Sequence, residues 1–560
     1  GLLVGSIAYY RIVVNGSITG STGNAIFVLR DTEAGESWNN KVISLGQINP
    51  GDSGSFDVVM DASGSTVDMY ATLNIDRGSG DTELPTNLKF YTTSDHKSEL
   101  HKYYSFLEKS GTNKETLTIY WYWNPYISDE EDNKYVNKSF SANITVNAVQ
   151  ISEYATMKNG YSGDSSANGG TEFWNNNYKP YIRMINFGND LSNLPSSCTE
   201  ENLCWDISYS QTQKKKVYGY LTDTGLKSNL DNTKPLYNLY IVSEAPIFAP
   251  SNCERIIDSF KNLISIDFND NFNTSKVTNM NGMFSSCYFL TSLDLSSFNT
   301  VNVIDMQHVF NGCYSLKSIN LSSFNTKNVI YMSWTFEYCK SLESLNLSSF
   351  NTLNVEYMRR MFYECSSLKT ININSFNTSN VRYIHGMFYN CSSLTSLDLS
   401  GFNTKKVSSM DNMFSGCSSL TSLDLSSFNT RSVSTLGIDS MFEGCTSLQS
   451  LNLSSFNTMY IESMKRMFYN CSSLTNLDLS NFNTERINNM SETFYGCSSL
   501  TTTINIMNAN VTEYQNMFAN AATASGSQIT VNYIAGASTL VDNMIATKSS
   551  NSNVIKGIQL

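Results

Sequence analysis

The sequence lacks any internal run of about 20 apolar residues, so it predicts no helix that spans a membrane. It also lacks a basic stripe, because charged residues make up only 15% of the chain and the formal net charge is −12. Nucleic-acid phosphates are bound by clustered Lys and Arg, so this balance excludes nucleic acid as a partner. The one short basic run, Lys214-Lys215-Lys216, is predicted to be a solvated loop.

Histidine is scarce, with four residues in 560: His96, His101, His308 and His385. His96 and His101 do not form the His-Glu-x-x-His pattern that supplies the zinc ligands and base of a metalloprotease. No Ser/His/Asp signature or phosphate-binding loop is present either. The residues therefore predict no enzyme, no catalytic site, no firm metal site and no cofactor.

What the chain has in abundance is an internal repeat. The tripeptide Phe-Asn-Thr returns every 26 residues, with one step of 28 caused by an insertion around Leu436-Gly437. Its phenylalanines are Phe272, Phe298, Phe324, Phe350, Phe376, Phe402, Phe428, Phe456 and Phe482. A fixed period of this length predicts a solenoid, in which each coil buries its apolar face against the next.

One unit of the repeat, from Val407 to Thr430, shows how each coil is expected to fold. Leu423 and Leu425 alternate with polar residues, which predicts a short strand with both leucines facing the core. The apolar residues Val407, Met410, Met413 and Phe414 have the spacing of one buried helical stripe.

Cysteine has a regular place in the repeat. Nine of the twelve cysteines recur once per coil: Cys287, Cys313, Cys339, Cys365, Cys391, Cys417, Cys445, Cys471 and Cys497. Zinc sites need several ligands close together, and an odd number of thiols cannot all pair, so we expect a column of small buried apolar residues. Cys198 and Cys204 bracket a short polar loop, where a disulfide in an oxidising compartment and two free thiols both fit the sequence.

Two surfaces of the solenoid are candidates for binding. An Asp/Asn column on the strands, which includes Asp424, predicts a solvated face, with Ca²⁺ binding as an alternative. The second surface has the Tyr, Trp and Arg composition of interaction hot spots. It is a predicted partner-binding patch with ordinary variable exposed positions as the alternative: Tyr331, Trp334, Tyr357, Arg359, Arg360, Tyr383 and His385.

The first 151 residues have a different pattern, with about seven short alternating apolar runs separated by turn residues. This pattern predicts a jelly-roll-like β-sandwich, with a short helix within residues 95–110. The runs are Ile7–Val14, Ala25–Leu29, Phe56–Met60, Val67–Ile75, Leu88–Tyr91, Leu117–Trp123 and Phe140–Val149. The fold class expected for the whole chain is therefore mainly β with short helices.

The repeat, with its Met-Phe-x-x-Cys-Ser-Ser-Leu and Leu-x-Leu-Ser-Ser-Phe-Asn-Thr motifs, resembles the 26-residue leucine-rich repeat of BspA-like bacterial surface proteins. The resemblance implies a secreted or surface-exposed adhesion protein. The domains expected are a sandwich at 1–151, a linker at 152–177, a β-rich cap at 178–260, repeats at 261–520 and a second cap at 521–560. Caps are needed because uncapped solenoid ends expose core.

The first domain resembles the TasA/camelysin family through Ile7-Ala-Tyr-Tyr near the start and the segment from Ile119 to Tyr126, where Trp121-Tyr-Trp123-Asn-Pro125 departs from the family's Trp-x-Trp-Pro. The family includes fibre-forming matrix proteins, which implies polymerisation by donation of residues 1–20 to the next copy, a head-to-tail contact. Pairing within the same chain and an unprocessed signal segment are the alternatives. The donor residues would be Leu2, Leu3, Val4, Ile7, Tyr9, Tyr10, Ile12 and Val14.

Three functions follow from these patterns. The first is an extracellular fibre or biofilm-matrix subunit that polymerises with itself and displays the solenoid. The second is a monomeric adhesin that binds a host protein or glycan. The third is a camelysin-like metalloprotease, which the scarcity of histidine disfavours. Asp129 and Asp132 are weak Ca²⁺ candidates in an acidic loop that is more simply explained as solvated.

Overall fold

The computed structural model describes residues 177–560 except 211, 270 and 435–436, together with these earlier segments: 11–13, 24–30, 41–47, 50–61, 68–77, 84–85, 87–91, 100, 103–107, 114–124, 139–151 and 155–158. In this part of the chain the fold is mainly β with one short α-helix, which confirms the predicted fold class.

The strands described before residue 152 form two sheets. In chain order they are Arg11–Val13 (β1), Asn24–Arg30 (β2), Lys41–Gln47 (β3), Ser53–Asp61 (β4), Asp68–Asp76 (β5), Leu88–Tyr91 (β6), Tyr103–Leu107 (β7), Lys114–Trp123 (β8) and Ser139–Ile151 (β9). One sheet has the order β1-β2-β4-β8-β6 and the other β3-β9-β5-β7. A shared core that includes Phe56, Trp121 and Trp123 from the first sheet and Leu73 and Ile144 from the second makes this domain a sandwich.

Two segments of the sandwich differ from the sequence prediction. The helix expected within 95–110 is wrong for residues 103–107, because they form β7, which runs antiparallel to β5 with Leu107 opposite Met69. The segment Tyr-Tyr-Ser-Phe-Leu is rich in residues that favour strands, and pairing with β5 decides its conformation. Strand β3 was not predicted and pairs with β9.

The described strands of the cap and the first coil are Ala155–Thr156 (β10), Ile182–Gly188 (β11), Cys204–Asp206 (β12), Tyr218–Lys227 (β13), Pro235–Val242 (β14), Ile247–Phe248 (β15), Ser265–Asp267 (β16) and Phe272–Asn273 (β17). Short 3-10 helices lie at Lys179–Tyr181 and Glu200–Asn202. The main sheet has the order β12-β13-β14-β11-β16, and its last strand belongs to the first coil. The cap therefore covers the solenoid core by extending its sheet.

The coils of the solenoid contribute short strands on the same face: Ser292–Asp294 (β18), Ser318–Asn320 (β19), Ser344–Asn346 (β20), Thr370–Asn372 (β21), Ser422–Asp424 (β22), Ser450–Asn452 (β23) and Asn476–Leu477 (β24). Paired strands of adjacent coils are parallel and in register, for example with Leu423 beside Leu451. Leu423 and Leu425 are buried whereas Ser422 and Asp424 are exposed, so side chains alternate as the repeat predicts.

The predicted helical stripe is buried but does not form a helix. Val407, Met410, Met413 and Phe414 are all fully buried, yet the segment is a series of turns. Its alternate backbone N–H groups donate to the next coil, as in Met410 N to Gly437 O and Phe414 N to Met441 O. Asn412 has a φ of 56°, in the left-handed region, which an α-helix does not allow. Backbone hydrogen bonds to the next coil therefore take the place of the hydrogen bonds that a helix would form within the segment.

Each residue of the Phe-Asn-Thr period has a physical role. The phenylalanine is buried, and neighbouring copies such as Phe402 and Phe428 stack at 6.2 Å. The asparagine side chain accepts a hydrogen bond from the N–H two residues later, as Asn403 does from Lys405 at 3.2 Å. The buried threonine hydroxyl bonds both the C=O and the N–H of the asparagine in the next coil. The period therefore fixes the spacing of adjacent coils.

The cysteine column lies in the core. All ten cysteines outside the Cys198–Cys204 pair are free and buried. Each repeat thiol donates to a backbone carbonyl of the preceding coil, as Cys391 Sγ does to Phe362 O at 3.1 Å. Burial raises the pKa of Cys417 to about 12, and a hydrogen bond with Cys391 opposes this effect. The thiols are thus small packing groups that also satisfy carbonyls.

We expect these ten cysteines to resist alkylation in the native protein. With a pKa of about 12, only about one Cys417 thiol in ten thousand is ionised at pH 8, and the thiolate is the reactive form. Mass spectrometry after iodoacetamide treatment should show no native labelling and ten labels after unfolding in urea. Cys198 is partly exposed and should react in the folded protein once its disulfide is reduced, which makes it the internal control. Native labelling of any repeat cysteine would contradict this prediction.

The far end of the solenoid is covered by longer strands and the helix. Strands Thr501–Ile506 (β25), Ile529–Tyr533 (β26) and Val554–Gln559 (β27) continue the parallel sheet from β24. A 3-10 turn at Ala535–Ala537 leads into the helix Ser538–Ile545 (α1), whose Val541 and Met544 are buried. Residues 521–560 thus contain the elements that close this end of the core.

Candidate functional site: the aromatic platform of the solenoid

The turn segment of each coil presents side chains in columns that run along the solenoid. Two residues per coil are left-handed, for example Trp334 and Tyr338 in one coil and Arg360 and Glu364 in the next. These bends let alternate N–H groups bond the next coil, as Trp334 N does to Arg359 O at 3.0 Å. Side chains at equivalent positions are therefore stacked on one another.

Tyrosine forms the first column. Tyr331 and Tyr357 stack with their ring centres 5.1 Å apart, and Tyr357 and Tyr383 stack at 5.3 Å. The backbones of these three residues are linked by parallel β-bridges. Tyr383 is 36% exposed, and the other two are partly exposed. The sequence therefore predicted this column correctly from its 26-residue spacing.

A second column lies beside the tyrosines and mixes aromatic and cationic groups. The rings of His308 and Trp334 are stacked 4.4 Å apart with an angle of 10°. The guanidinium of Arg359, in the following coil, has its Cζ 3.9 Å from the centre of the Trp334 ring, a cation–π contact. The pKa of His308 is lowered to about 4, chiefly by burial and then by Arg255 and Arg359, so His308 is neutral at physiological pH.

The third column is formed by Arg360, Tyr363 and Tyr389. The Arg360 Cζ lies 4.9 Å from the Tyr363 ring centre, and Tyr363 stacks on Tyr389 at 4.4 Å. Arg360 also approaches Glu337 at 3.9 Å. His385 lies beside these columns, because its C=O accepts a hydrogen bond from Arg360 N at 3.0 Å. We call the three columns and His385 together the aromatic platform: His308, Tyr331, Trp334, Tyr357, Arg359, Arg360, Tyr363, Tyr383, His385 and Tyr389.

The platform leaves polar atoms without partners. Arg359 Nε and His385 Nδ1 have no hydrogen bond within the part of the chain that the structure describes. Arg466, which lies in a later coil at the position equivalent to Arg360, is different, because it bonds Glu443 at 2.6 Å and Glu492 at 2.9 Å. The pKa of Arg359 is lowered, chiefly by burial and then by Arg360. An aromatic surface with an arginine that lacks a carboxylate partner is suited to binding an external group.

The sequence found seven of these side chains and missed three: His308, Tyr363 and Tyr389. His308 shares the repeat position of Trp334 and Arg360, whereas Tyr363 and Tyr389 occupy a position that the prediction did not include. However, the left-handed backbone at His308 and Arg360 decides which columns touch. The 26-residue spacing predicts contacts between residues at the same repeat position, but not contacts between different repeat positions, such as Arg359 on Trp334.

The repeat position of Arg359 and His385 is occupied by carboxylates in the next two coils, Asp411 and Asp439. The pKa of Asp439 is raised to about 6, chiefly by burial and to a small extent by Asp411, although hydrogen bonds with Ser463 and Lys465 and the charge of Lys465 oppose the increase. Asp439 Oδ1 has no hydrogen-bond partner among the described residues. The ionised form of Asp439 is therefore unfavourable in the folded protein.

We expect Asp439→Asn to raise the free energy of unfolding at pH 7.5 by about 1–2 kcal/mol. A pKa unit corresponds to about 1.4 kcal/mol, and partial exposure of the side chain reduces the full value. Because the folded pKa of about 6 lies above the ordinary 3.8, the stabilisation by the proton is complete below pH 3.8 and lost as pH rises through about 6. Urea unfolding should show that the gain largely disappears at about pH 4.

Asp424→Asn is the matched control for this titration. Asp424 is exposed on a strand, and the hydrogen bond from the Ser426 N–H lowers its pKa. Asp424→Asn should therefore change the free energy of unfolding at pH 7.5 in the opposite direction from Asp439→Asn. A difference between wild type and Asp439→Asn that is the same at both pH values would contradict the prediction.

The Asp/Asn column on the strands has a structural role. Each of these side chains accepts a hydrogen bond from the N–H two residues later, as Asp294 does from Ser296 and Asp424 from Ser426, both at 3.0 Å. This contact ends the strand in an Asx turn. In the part of the chain that the structure describes, no group of three His, Cys, Asp or Glu side chains is placed to hold a metal ion. The Ca²⁺ alternative for this face stays a prediction.

The remaining predicted residues are placed as follows. Cys198 and Cys204 are joined by a disulfide. Ile12 lies in β1, opposite Leu29 of the same chain. Outside the described residues lie Leu2, Leu3, Val4, Ile7, Tyr9, Tyr10, Val14, His96, His101, Asp129 and Asp132. None of the helices that the structure describes has the length and apolar character needed to cross a bilayer.

The repeat is matched by one protein family, described as "Mycoplasma protein of unknown function, DUF285", at residues 251–370, 331–450 and 423–532. These overlapping matches cover residues 251–532, half of the chain. A solved structure of a leucine-rich cell surface protein from Faecalibacterium prausnitzii A2-165 is similar at 17% identity and a TM-score of 0.28, over 55% of this chain and 77% of that one. No curated protein sequence matches the chain. The family match confirms the predicted repeat, whereas the family description assigns no function or location.

Proposed function

We propose that this chain, which belongs to the DUF285 family, is a non-enzymatic bacterial cell-surface protein that binds a partner protein or glycan through the aromatic platform. The observation that carries the proposal is the group of three adjacent ring columns with Arg359 lying on Trp334. Tyr, Trp and Arg dominate binding energy at interfaces because they combine large apolar area with directed polar groups.

The setting of the platform supports this proposal. Its rings are held by backbone bonds between coils, so they present a preformed surface and little conformational entropy is lost when a partner binds. The Cys198–Cys204 disulfide favours an extracytoplasmic location, because disulfides persist in oxidising compartments. The two histidines that the structure describes, His308 and His385, are parts of the platform, which gives no support to the protease alternative.

We expect the double variant Tyr357→Ala/Arg359→Ala to bind at least tenfold more weakly to whichever surface the wild-type protein recognises. Removal of two hot-spot side chains typically costs about 2 kcal/mol or more, and about 1.4 kcal/mol is a factor of ten. The measurement is surface plasmon resonance against immobilised matrix proteins and mucin, after thermal unfolding has shown both proteins to be folded.

Arg466→Ala/Tyr469→Ala is the matched control, because it removes the same two residue types from a cation–π pair with a 4.0 Å contact in a later coil. Its affinity should stay within about threefold of wild type. Equal losses in the two double variants, or full binding by the platform variant, would contradict the proposed role of the platform.

A fibre subunit is the second candidate, and the edge of the first sheet favours it. Among the described residues, β1 lies at the edge of this sheet and pairs with Val28–Arg30 of β2, with Ile12 opposite Leu29. An edge strand can be exchanged for a strand from another copy, and such an exchange propagates head to tail. The resemblance to the TasA/camelysin family supports the same idea at the level of sequence.

Electron microscopy of the purified chain and of a deletion of residues 1–20 tests the fibre proposal. Filaments that form from the full chain and are lost on deletion would support strand donation. Filaments that survive the deletion, or a full chain that stays monomeric at high concentration, would count against it. These outcomes do not depend on the aromatic platform.

A further inference from the structure

A cavity of about 440 Å³ lies in the cap, outside the aromatic platform. It is formed where three parallel strands end: Gly188 is the last residue of β11, Val242 the last of β14, and Asn269 follows β16. The carboxyl ends of adjacent parallel strands form the crevice in which open parallel sheets hold ligands. The volume lies within the range of about 300–1,000 Å³ that is usual for small-molecule sites.

The wall opposite the strand ends is a tethered loop. Asp190 and Asn193 in this loop line the cavity, and the Cys198–Cys204 disulfide fixes the end of the loop to β12. Leu191 and Leu194 pack against the small core formed by Cys204, Tyr220 and Val242. The cavity is therefore preformed, and the disulfide is part of its support.

The apolar part of the lining is aromatic. Tyr220 and Tyr240 are stacked 5.0 Å apart with an angle of 13°, and Phe187 lies beside them in the lining. Tyr220 is buried and Tyr240 is partly exposed. A flat ring with a hydroxyl at its edge can contact an apolar ligand face and bond a polar group at the same time.

The polar part of the lining is made almost entirely of amides. Asn269 and Asn271 use their Nδ2 groups to bond Phe187 O at 2.8 Å and Gly188 O at 2.7 Å, which leaves both Oδ1 atoms as fixed acceptors. The side chains of Asn189 and Asn193 have no hydrogen bond to any residue that the structure describes. An amide offers two donors and an acceptor, so these groups match adjacent hydroxyls that both donate and accept.

The charge of the lining narrows the class of ligand. Among the described residues of the lining, Asp190 is the one carboxylate and none is Lys, Arg or His, so phosphate, sulfate and carboxylate ligands have no counter-charge from them. Asp190 also contributes to raising the pKa of Tyr220, after burial and Tyr240, which places its charge beside the tyrosines. Asp190 Oδ1 accepts a hydrogen bond from the Ser192 N–H at 2.8 Å, and the remaining lone pairs of the carboxylate can accept ligand hydroxyls.

We propose that this cavity binds a neutral saccharide unit, independently of the aromatic platform. A pyranose ring has an apolar C–H face and a rim of adjacent hydroxyls. Tyr240 matches the face, whereas Asp190 and the asparagine amides match the rim. The cap is then a second recognition site in addition to the solenoid.

Saturation-transfer NMR of the full chain tests the proposal with five free sugars: glucose, galactose, mannose, N-acetylglucosamine and N-acetylgalactosamine. At least one should bind, and its Kd should rise at least tenfold in Asp190→Ala/Asn193→Ala. Both residues are exposed, so this variant should fold. Glucose 6-phosphate and N-acetylneuraminic acid test the charge argument and should bind at least tenfold more weakly than the best neutral sugar.

Two control variants separate the cavity from other surfaces. Asp424→Ala/Asn452→Ala removes the same residue types from the exposed strand face, where Asn452 Nδ2 bonds Asp424 at 2.9 Å, and should keep wild-type affinity. Tyr357→Ala/Arg359→Ala should also keep it. The proposal is overturned if no neutral sugar binds, if Asp190→Ala/Asn193→Ala binds as wild type does, if the platform variant loses binding, or if an anionic sugar binds as tightly as the neutral ones.

Discussion

Phe362→Ala is expected to lower the free energy of unfolding by about 3–5 kcal/mol. Phe362 is fully buried in the middle of the solenoid, and its ring stacks on Phe336 at 5.8 Å and on Phe388 at 5.4 Å. Alanine at this position leaves a cavity between two rings. Their backbones are bonded to the coils on both sides, as Phe336 N is to Met361 O at 2.9 Å, so the cavity cannot collapse.

Urea unfolding followed by circular dichroism measures this effect, with Tyr460→Ala as the control. Tyr460 also lies on a turn of the solenoid, but it is 48% exposed, so its loss should change the free energy of unfolding by less than about 1 kcal/mol. A cost below about 1.5 kcal/mol for Phe362→Ala would mean that neighbouring coils can close the gap. The solenoid would then be softer than its hydrogen bonding indicates.

The sequence predicts the repeat well because each coil meets a copy of itself. A residue that recurs every 26 positions must stack on its own kind, so the burial of Leu423 and Cys417 and the tyrosine column follow from spacing alone. The alternating runs of the sandwich are nearly as informative, since a two-residue period is typical of a strand with one buried face. The prediction was wrong in the turn segments, because the spacing of their apolar residues is also that of a helix.

The left-handed backbone of bulky residues in the turn segments could not be predicted from the sequence. Trp334 and Arg360 have φ values of 59° and 51°. This conformation costs about 1–2 kcal/mol for an ordinary side chain. The cost is offset by hydrogen bonds to the next coil, which exist only after coils stack. A local propensity argument considers one coil and therefore favours the helix.

The two candidate sites differ in the same way. The tyrosines of the aromatic platform share a repeat position, so periodicity reveals them. The saccharide cavity is lined by residues as far apart in sequence as Asn186 and Asn271, and no motif joins them. Only the parallel pairing of β11 with β14 and β16 brings these segments together. The pair Cys198 and Cys204 was the one local signal near this cavity.

Thr352→Val is expected to lower the free energy of unfolding by about 1–3 kcal/mol, although it keeps the shape of the side chain. The Thr352 hydroxyl donates to Asn377 O at 3.0 Å and accepts from Asn377 N at 2.7 Å. Thr352 is fully buried, so valine leaves both backbone groups of Asn377 without this partner. Asn377 itself is exposed and the two bonds are part-buried, so each contributes about 0.5–1.5 kcal/mol and the pair about 1–3 kcal/mol.

Thr370→Val makes the same chemical change on the exposed strand β21 and isolates the effect of burial. Thr370 has no side-chain hydrogen bond to any residue that the structure describes, and valine favours strands, so this variant should match wild type within about 0.5 kcal/mol. Urea unfolding of the two variants side by side gives the comparison.

A small loss of unfolding free energy at both positions would show that water replaces the lost hydroxyl between coils. The threonine of Phe-Asn-Thr would then not be what sets the spacing of adjacent coils. A large cost at Thr352 alone would identify this hydroxyl as the contact that sets the spacing of adjacent coils, because the bond recurs in every coil from Thr274 to Thr484.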